Sequence, residues 1–286
     1  AFKRCYTEED LHDIAELVGF PLVHKTPAGA GSHMVFICRD LATLRKRFHI
    51  ITKSMDIYGS YPEFALAEEY LGGTEYIVNM FADGKKIHVT DIWMYEKFSS
   101  SFADNLYRQA TLCDLNDEAL QELKAYAMDL AKAVGISIGP IHAELKLDEK
   151  GPVMIEIASR LCGANTPSLT GQYSNFNPIQ STITAYVQGR ATVPPEITFH
   201  KKITIAMGHT EAQGKITTIK GIPEIQQLPS YHSHALYIEE EGQVTPTVSL
   251  VNLPLIVWLV NTDEEQLAQD SSRTHELFHI STEQHA

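Results

Sequence analysis

The sequence predicts an α+β fold, and three observations carry that prediction. A helix, strand, loop, strand, helix order opens the chain over residues 7–48. A hairpin pattern occupies residues 142–158. Beyond Pro194-Pro195 the pattern changes to short strands parted by glycine and proline, with a polar, acidic, helical tail from Asp263. A chain of 286 residues with 44% hydrophobic content can bury a large core, and its length suggests one to three domains.

Each element has a local cause. Thr7 is an N-cap before the acidic turn Glu8-Glu9-Asp10, and Leu11, Ile14, Leu17 and Val18 make an apolar stripe that stops at Gly19. Residues 20–25 read as a short strand, 26–32 as a small-residue loop, 34–38 as a second strand and about 40–48 as a helix. Residues 65–71 read as a strand running into Gly72-Gly73, and 75–81 with 86–93 as a hairpin around Asp83-Gly84. Asn116 is read as the cap of a long helix in which Leu120, Leu123, Ala127, Leu130, Ala131 and Val134 keep a three-to-four spacing up to Gly135. Asn177-Pro178 opens another helix to about Gly189, and residues 250–260 form a buried strand or pair of strands.

Composition excludes some partners. A net charge of −13 argues against a nucleic-acid backbone or an anionic membrane, which select for basic surface. The longest apolar run, 250–260, is short and broken by Asn252 and Pro254, and no signal-peptide pattern opens the sequence. Cys5, Cys38, Cys113 and Cys162 are scattered without a CxxC pair, which favours reduced thiols in a cytoplasmic compartment over a disulfide framework or zinc site. Cys162 reads as a small apolar loop residue rather than a nucleophile, because no activating partner can be assigned to it.

The central hairpin carries the chemistry. With its centre near Lys150, Glu144 lies opposite Glu156 and Leu145 opposite Ile155; alternation then gathers His142, Glu144, Glu156 and Arg160 on one side and leaves the other apolar. Directly opposed residues have Cβ atoms about 4.5–5.5 Å apart, where two carboxylates repel unless a cation or a shared proton separates them. The simplest remedy is a divalent metal completed by phosphate and water, the usual way magnesium is held at a nucleotide. The competing reading is an exposed hairpin with solvated glutamates. His142 suits a ligand, a substrate-positioning group or a structural hydrogen bond. His232 and His234 have the spacing of a metal pair on a strand but no matching carboxylate or cysteine, and carry no assignment.

Lys25 followed by Pro27-Ala28-Gly29-Ala30-Gly31-Ser32 places an ammonium and unobstructed backbone N–H groups where phosphate oxygens could sit. It is neither a Walker A loop nor a GxGxxG opening a helix, and on its own it reads as ordinary surface. Residues 68–75 (EEYLGGTE), taken alone, read as an edge strand with solvated charge.

Taken in order, the lysine and flexible loop, EEYLGGTE, HAE and IEIASR resemble the series found in the ATP-grasp superfamily, over about residues 5–190. The resemblance implies an ATP-grasp fold: subdomains 1–71 and 72–194 with ATP between their sheets, then a β-rich cap over 195–286. By the same resemblance Lys25 contacts the phosphates, and the loop with Gly29, Gly31 and Ser32 closes over them. Glu69, Tyr70 and Leu71 present backbone groups to adenine, and Glu75 takes the ribose hydroxyls. Glu144 and Glu156 hold Mg2+, for which Mn2+ substitutes, and Arg160 faces the transferring phosphoryl group and the acyl centre.

Two departures matter. Many of these enzymes have Glu-x-Asn before the arginine, whereas Ala158 stands here, so a third amide ligand is absent or comes from elsewhere; and His33-Met34 replaces a common glycine. Glu-x-Ala-x-Arg followed by Gly163, together with residues 90–97 (TDIWMYEK), is similar to the L-amino-acid ligase branch, the relatives of dipeptide synthetases and carnosine synthase. Segments 214–230 and 240–249 are similar to the small β-rich lid of those ligases. The implied reaction is ATP-dependent ligation of two amino acids through an acyl phosphate. The alternatives are another carboxylate-activating ATP-grasp enzyme, such as a carboxylase or a ligase of purine synthesis, and a non-catalytic nucleotide-binding module. Gly163 and the small Ala164 would line the acyl side, leaving room for a bulky first amino acid. A homodimer is compatible with the resemblance, and so is an upstream α/β domain carrying a further phosphate-contacting lysine, which makes this chain the expected C-terminal part of a longer enzyme.

Overall fold

The computed structural model describes residues 1–283. Its first unit comprises β1 (Phe2–Cys5), α1 (Glu8–Val18), β2 (Leu22–Lys25), β3 (Val35–Cys38), α2 (Leu41–Lys53) and β4 (Ala65–Glu69). The four strands lie in the antiparallel order β1-β4-β2-β3. Period-two alternation divides them: Cys5, Leu22, Cys38, Ala65 and Ala67 pack beneath Leu11 and Ile14 of α1 and Leu44, Phe48 and Ile51 of α2. Val23, Lys25, Val35, Ile37, Leu66 and Glu68 turn to the opposite face, which walls a cleft.

The N-cap expected at Thr7 is present, and Asp10 makes it a capping box, the two residues exchanging side-chain and backbone bonds. α2 runs on to Lys53, past the expected end at Phe48, because residues 49–53 hold no breaker and Ile51 continues the stripe of Leu44 and Phe48.

Next come β5 (Thr74–Asp83), β6 (Ile87–Phe98), β7 (Leu106–Leu112), α3 (Gln121–Val134), β8 (Ile138–Asp148), β9 (Gly151–Ala158), α4 (Thr166–Tyr173) and α5 (Pro178–Gln188). They are followed by β10 (Lys202–Gly208), β11 (Gly214–Lys220), α6 (Ile222–Ile225), β12 (Tyr231–Leu236), β13 (Gln243–Val244), β14 (Leu255–Asn261), α7 (Glu264–Leu277) and β15 (His279–Thr282). One 8-stranded sheet has the order β12-β14-β10-β7-β6-β5-β8-β9. It crosses residues 194/195, so the C-terminal segment continues the central sheet through β10, β14 and β12 and adds a 3-stranded sheet, β13-β11-β15. α3 covers one face of the central strands through Leu123, Ala127 and Ala131, and α7 packs on β10 and β14 around Leu267 and Phe278.

Asn116 is not the cap expected of it. Asp117 caps a 3-10 turn, Glu118–Leu120, that leads into α3, and the Asn116 N–H donates to Asp114. β7 lies in the middle of the large sheet between β6 and β10, where the sequence announces no strand: Arg108 is an extra residue opposite Glu96/Lys97 and breaks its period.

The central hairpin pairs Glu144 with Glu156 as expected, but Leu145 faces Met154, not Ile155. The turn closes on Asp148↔Gly151, so a continuous register would place Ile155 opposite Glu144 and send Glu156 to the far face. Ile155 is the extra residue of a bulge between Glu144 and Leu145, and that bulge returns Glu156 to the face of Glu144.

Candidate active site

A cleft of about 990 Å³ lies between the outward face of the first sheet and the central strands β5, β6, β8 and β9. Across and beneath its floor the large sheet presents three parallel rows of side chains, two residues apart along each strand. One row is Asp91, Asn79, His142 and Ala158; the next is Trp93, Ile77, Glu144 and Glu156; the third is Tyr95, Glu75 and Lys146. Residues in register point to one face, and therefore groups distant in sequence meet.

The middle row ends in the opposed glutamates. His142 Nε2 lies 3.5 Å from Glu144 Oε1, and ligand atoms of His142, Glu144 and Glu156 all fall within 4.8 Å of one another. Burial works against a charge on Glu144, but the hydrogen bond and charge of His142, helped by Lys97, keep its pKa below the ordinary glutamate value. Burial and the neighbouring Glu144 raise that of Glu156. Burial likewise opposes a charge on His142, yet Cys162 and Glu144 beside it raise its pKa well above the usual imidazole range. A cluster of two carboxylate oxygens and one imidazole nitrogen open to a cleft fits a divalent metal.

Arg160 stands half-exposed at the end of this row, Nη2 3.8 Å from Glu156 Oε1. Beyond it, Gly163 lines the cleft and its carbonyl accepts from Thr166 N and Oγ1. Ala164 also lines the cleft, at φ 52°, and its carbonyl accepts from Trp258 Nε1 at 2.8 Å. The floor nearby is apolar, built from Ile77, Trp93, Ile205, Met207, Leu253 and Ile256.

Lys25 faces the same cleft, its Nζ 2.7 Å from Glu68 Oε2. Gly29, Gly31 and Ser32 line the cleft as part of the loop. Gly31 and Ser32 have φ of 61° and 59°. The loop is fastened: Leu250 N donates to Gly31 O at 2.9 Å, and Ser32 Oγ to Tyr107 Oη at 3.1 Å. Glu69, Tyr70 and Leu71 form the strip joining the two sheets along the cleft edge, and the Glu69 carboxylate turns to the Ala1 amine at 3.0 Å.

Glu75, expected among the ribose contacts, is 4% exposed. Lys97 Nζ approaches it at 2.6 Å and Lys146 Nζ at 3.6 Å, and Tyr107 Oη donates to it at 3.0 Å. The sequence assigns no role to Lys97, Lys146, Tyr107 or Glu68, although Glu68 and Lys97 lie within the segments 68–75 and 90–97. Lys146 had one available signal, since it lies two residues beyond Glu144 on the same strand face. Tyr107 had none, because its strand was not recognised.

Asp91 is the most deeply buried carboxylate beside the site. Its Oδ1 accepts from Asn79 Nδ2 at 2.5 Å and Trp93 Nε1 at 2.6 Å, its Oδ2 from Thr90 Oγ1 at 2.9 Å. Burial raises its pKa against these hydrogen bonds. Asn79 Oδ1 in turn lies 3.0 Å from His142 Nδ1. Away from the cleft, His232 meets Tyr173 and His234 meets Tyr231, so those two rings share no ligand position. Cys162 is half-buried, its Sγ 3.7 Å from Thr166 Oγ1.

The family described as ATP-grasp domain matches residues 18–168. Dapdiamide A synthase of Enterobacter agglomerans is 34% identical over 148 residues, covering 52% of this chain and 35% of that protein. The uncharacterized protein y4rH of Sinorhizobium fredii (strain NBRC 101917 / NGR234) is 28% identical over 170 residues, 59% of this chain and 34% of that protein. The chain thus spans about a third of the length of the curated relatives it matches. Among solved structures, an L-amino acid ligase from Bacillus licheniformis superposes with a TM-score of 0.82 at 18% identity, over 99% of this chain and 69% of that one. N5-carboxyaminoimidazole ribonucleotide synthetase from Thermotoga maritima gives 0.64 at 16%, over 99% and 68%. No described helix is long and apolar enough to cross a membrane.

Proposed function

The chain belongs to the ATP-grasp domain family and has its mixed α/β fold, and from that premise we propose that it serves ATP-dependent ligation of two amino acids. One observation carries the reading: a single cleft brings Lys25 and the glycine loop on one wall opposite Glu144, Glu156 and Arg160 on the other, with an apolar recess beyond. ATP's γ-phosphoryl passes to the carboxylate of the first amino acid. The amine of the second then attacks the acyl phosphate, forming the peptide bond and releasing phosphate.

Little covalent work falls to the side chains, whose share is position and charge. Lys25 exchanges Glu68 for phosphate oxygens, and the loop of Gly29, Gly31 and Ser32 excludes water above them. Backbone groups of Glu69, Tyr70 and Leu71 border the base. Glu75, with Lys97, Lys146 and Tyr107 satisfying part of its carboxylate, keeps remaining lone pairs for ribose hydroxyls. Glu144 and Glu156 would hold Mg2+, or Mn2+ in its place, whose chemistry is to neutralise charge on the phosphates. The guanidinium of Arg160 lies beside the same charge. Gly163 and Ala164 border the first amino acid, whose side chain enters the apolar recess. Four free cysteines fit the reducing cytoplasm.

The test is a screen of amino-acid pairs with ATP and Mg2+, reading phosphate release and product mass. At least one pair is expected to release phosphate in step with a dipeptide. ADP release with bicarbonate or a ribonucleotide amine instead would move the protein to the carboxylase or purine-ligase reading. Tight ATP binding without turnover by any acceptor would make it a binding module.

A further inference from the structure

We infer that Asn79 and Asp91 hold His142 as a third protein ligand of the metal site, opposite Ala158, which brings no donor atom. The inference rests on the metal reading of Glu144 and Glu156 given above and concerns what completes that set.

Along the row that ends at Ala158, Asp91, Asn79 and His142 form a directed hydrogen-bond chain. An indole N–H only donates, so the Asp91 oxygen that meets Trp93 Nε1 is an acceptor. The same oxygen meets the Asn79 amide, which must therefore turn its NH2 towards Asp91 and its carbonyl oxygen towards His142. A carbonyl oxygen only accepts, which places a hydrogen on His142 Nδ1. Nε2 is then the nitrogen aimed at Glu144 and Glu156 and able to offer a lone pair. A metal-bound histidine with its other nitrogen fixed by a hydrogen bond is the usual arrangement, and the outer partner orients the ring. Where Nε2 carries a proton before the cation arrives, that proton leaves to water as the cation takes its place.

Burial supports a purpose for the chain. Asp91 is 2% exposed, Asn79 8% and His142 3%. Polar groups this deep cost stability unless they are fully satisfied, and a chain of them ending at an open cleft points outward to a ligand. At the other end of the row, Ala158 stands directly across from His142. A methyl group there leaves room for an ion beside the imidazole and supplies nothing to bind it. Imidazole nitrogen in an otherwise oxygen set moves affinity from Mg2+ towards the first-row transition metals.

Mn2+ bound in the presence of ADP tests this by pulsed electron paramagnetic resonance. The wild-type protein is expected to show coupling to a 14N nucleus that becomes 15N coupling when only histidine is 15N-labelled. His142→Ala should abolish it and weaken Mn2+ binding by about 100-fold or more, since weakened outer partners alone cost about 10–100-fold. Adding Ala158→Asn to His142→Ala should restore Mg2+ binding through an amide oxygen. Asn79→Leu, with its melting temperature as control, should reduce both the coupling and the affinity, which a purely structural role would leave alone. Mn2+ held in a manner lost on Glu156→Gln, yet without histidine coupling, overturns this inference and leaves the carboxylate site standing. Failure to hold Mn2+, or equal binding by Glu156→Gln, overturns both. The labelled wild type decides the matter even where His142→Ala does not fold.

Discussion

Glu156 shows how one residue carries opposite consequences for stability and function. Its carboxyl is repelled by Glu144 and its pKa is raised, so in the metal-free protein it is tolerated rather than stabilising. Glu156→Ala is expected to lower magnesium-dependent turnover by about 100-fold or more, since weakened outer partners alone cost 10–100-fold. The metal-free melting temperature should hold level or rise. Full activity in that variant, read by phosphate release, would sink the metal assignment. His24 is the contrasting case: wholly buried on β2, tilted against Phe48, with neither ring nitrogen finding a partner among the described residues. An unpartnered buried polar group costs about 1–3 kcal/mol. His24→Leu should therefore gain about 1–2 kcal/mol at neutral pH in urea titrations, and a loss would show that the ring meets a need not visible in its contacts.

At the scale of elements, turns and bulges decide which side chains reach the cleft. The bulge at Ile155 is worth one residue of register, and with it the side of the sheet on which Glu156 appears. The glycine loop depends on backbone shape in the same way. Gly31 has φ 61°, and a Cβ there would lie 3.1 Å from Leu250 Cβ. Gly31→Ala is expected to cost about 1–2 kcal/mol in the fastened loop and to raise the KM for ATP several-fold, while kcat moves less; unchanged KM would separate the loop from the nucleotide. The loop after β9 ends with Ala164 already in left-handed backbone, so a larger side chain adds bulk without new backbone strain. Ala164→Trp should fill part of the apolar recess and shift the first-substrate preference towards glycine or alanine. An unchanged ranking in competition assays with amino-acid mixtures would remove Ala164 from the pocket wall.

Across the whole molecule, acid sensitivity follows from buried rings, one on β2 and two, His209 and His275, close together beside Arg108. Burial lowers His24, His209 and His275 from 6.5 to about 4. Their folded pKa lies below the unfolded one, so the unfolded chain binds more protons between those values. Their stability contribution is complete above 6.5 and is lost as pH falls towards 4. For each ring the full loss is on the order of 3 kcal/mol. Urea midpoints are expected to fall steadily from pH 6.5 to pH 4, and His24→Leu should flatten the slope. Superimposable pH profiles for the variant and the wild type would exclude His24 as a contributor.

Short-range chemistry made much of this molecule legible. Thr7 and Asp10 announce α1, and Asp148 to Gly151 announce the central turn; each signal acts within a few residues, where propensity and hydrogen-bond geometry dominate, whereas the meeting of Glu144 with Glu156 waits on the bulge at Ile155. Signals spread over distance were not readable. β7 joins the sheet because β6 and β10 offer it edges, not because its own sequence declares a strand. Glu75 meets Lys97, Lys146 and Tyr107, and Asn79 meets Asp91 and His142, only once sheet register is set, and register depends on bulges that no local pattern marks. The continuation of the large sheet past Pro194-Pro195 has the same origin: β10, β14 and β12 find their partners by burying apolar faces against strands far back in the chain, a free energy that belongs to the assembled sheet and to no segment alone.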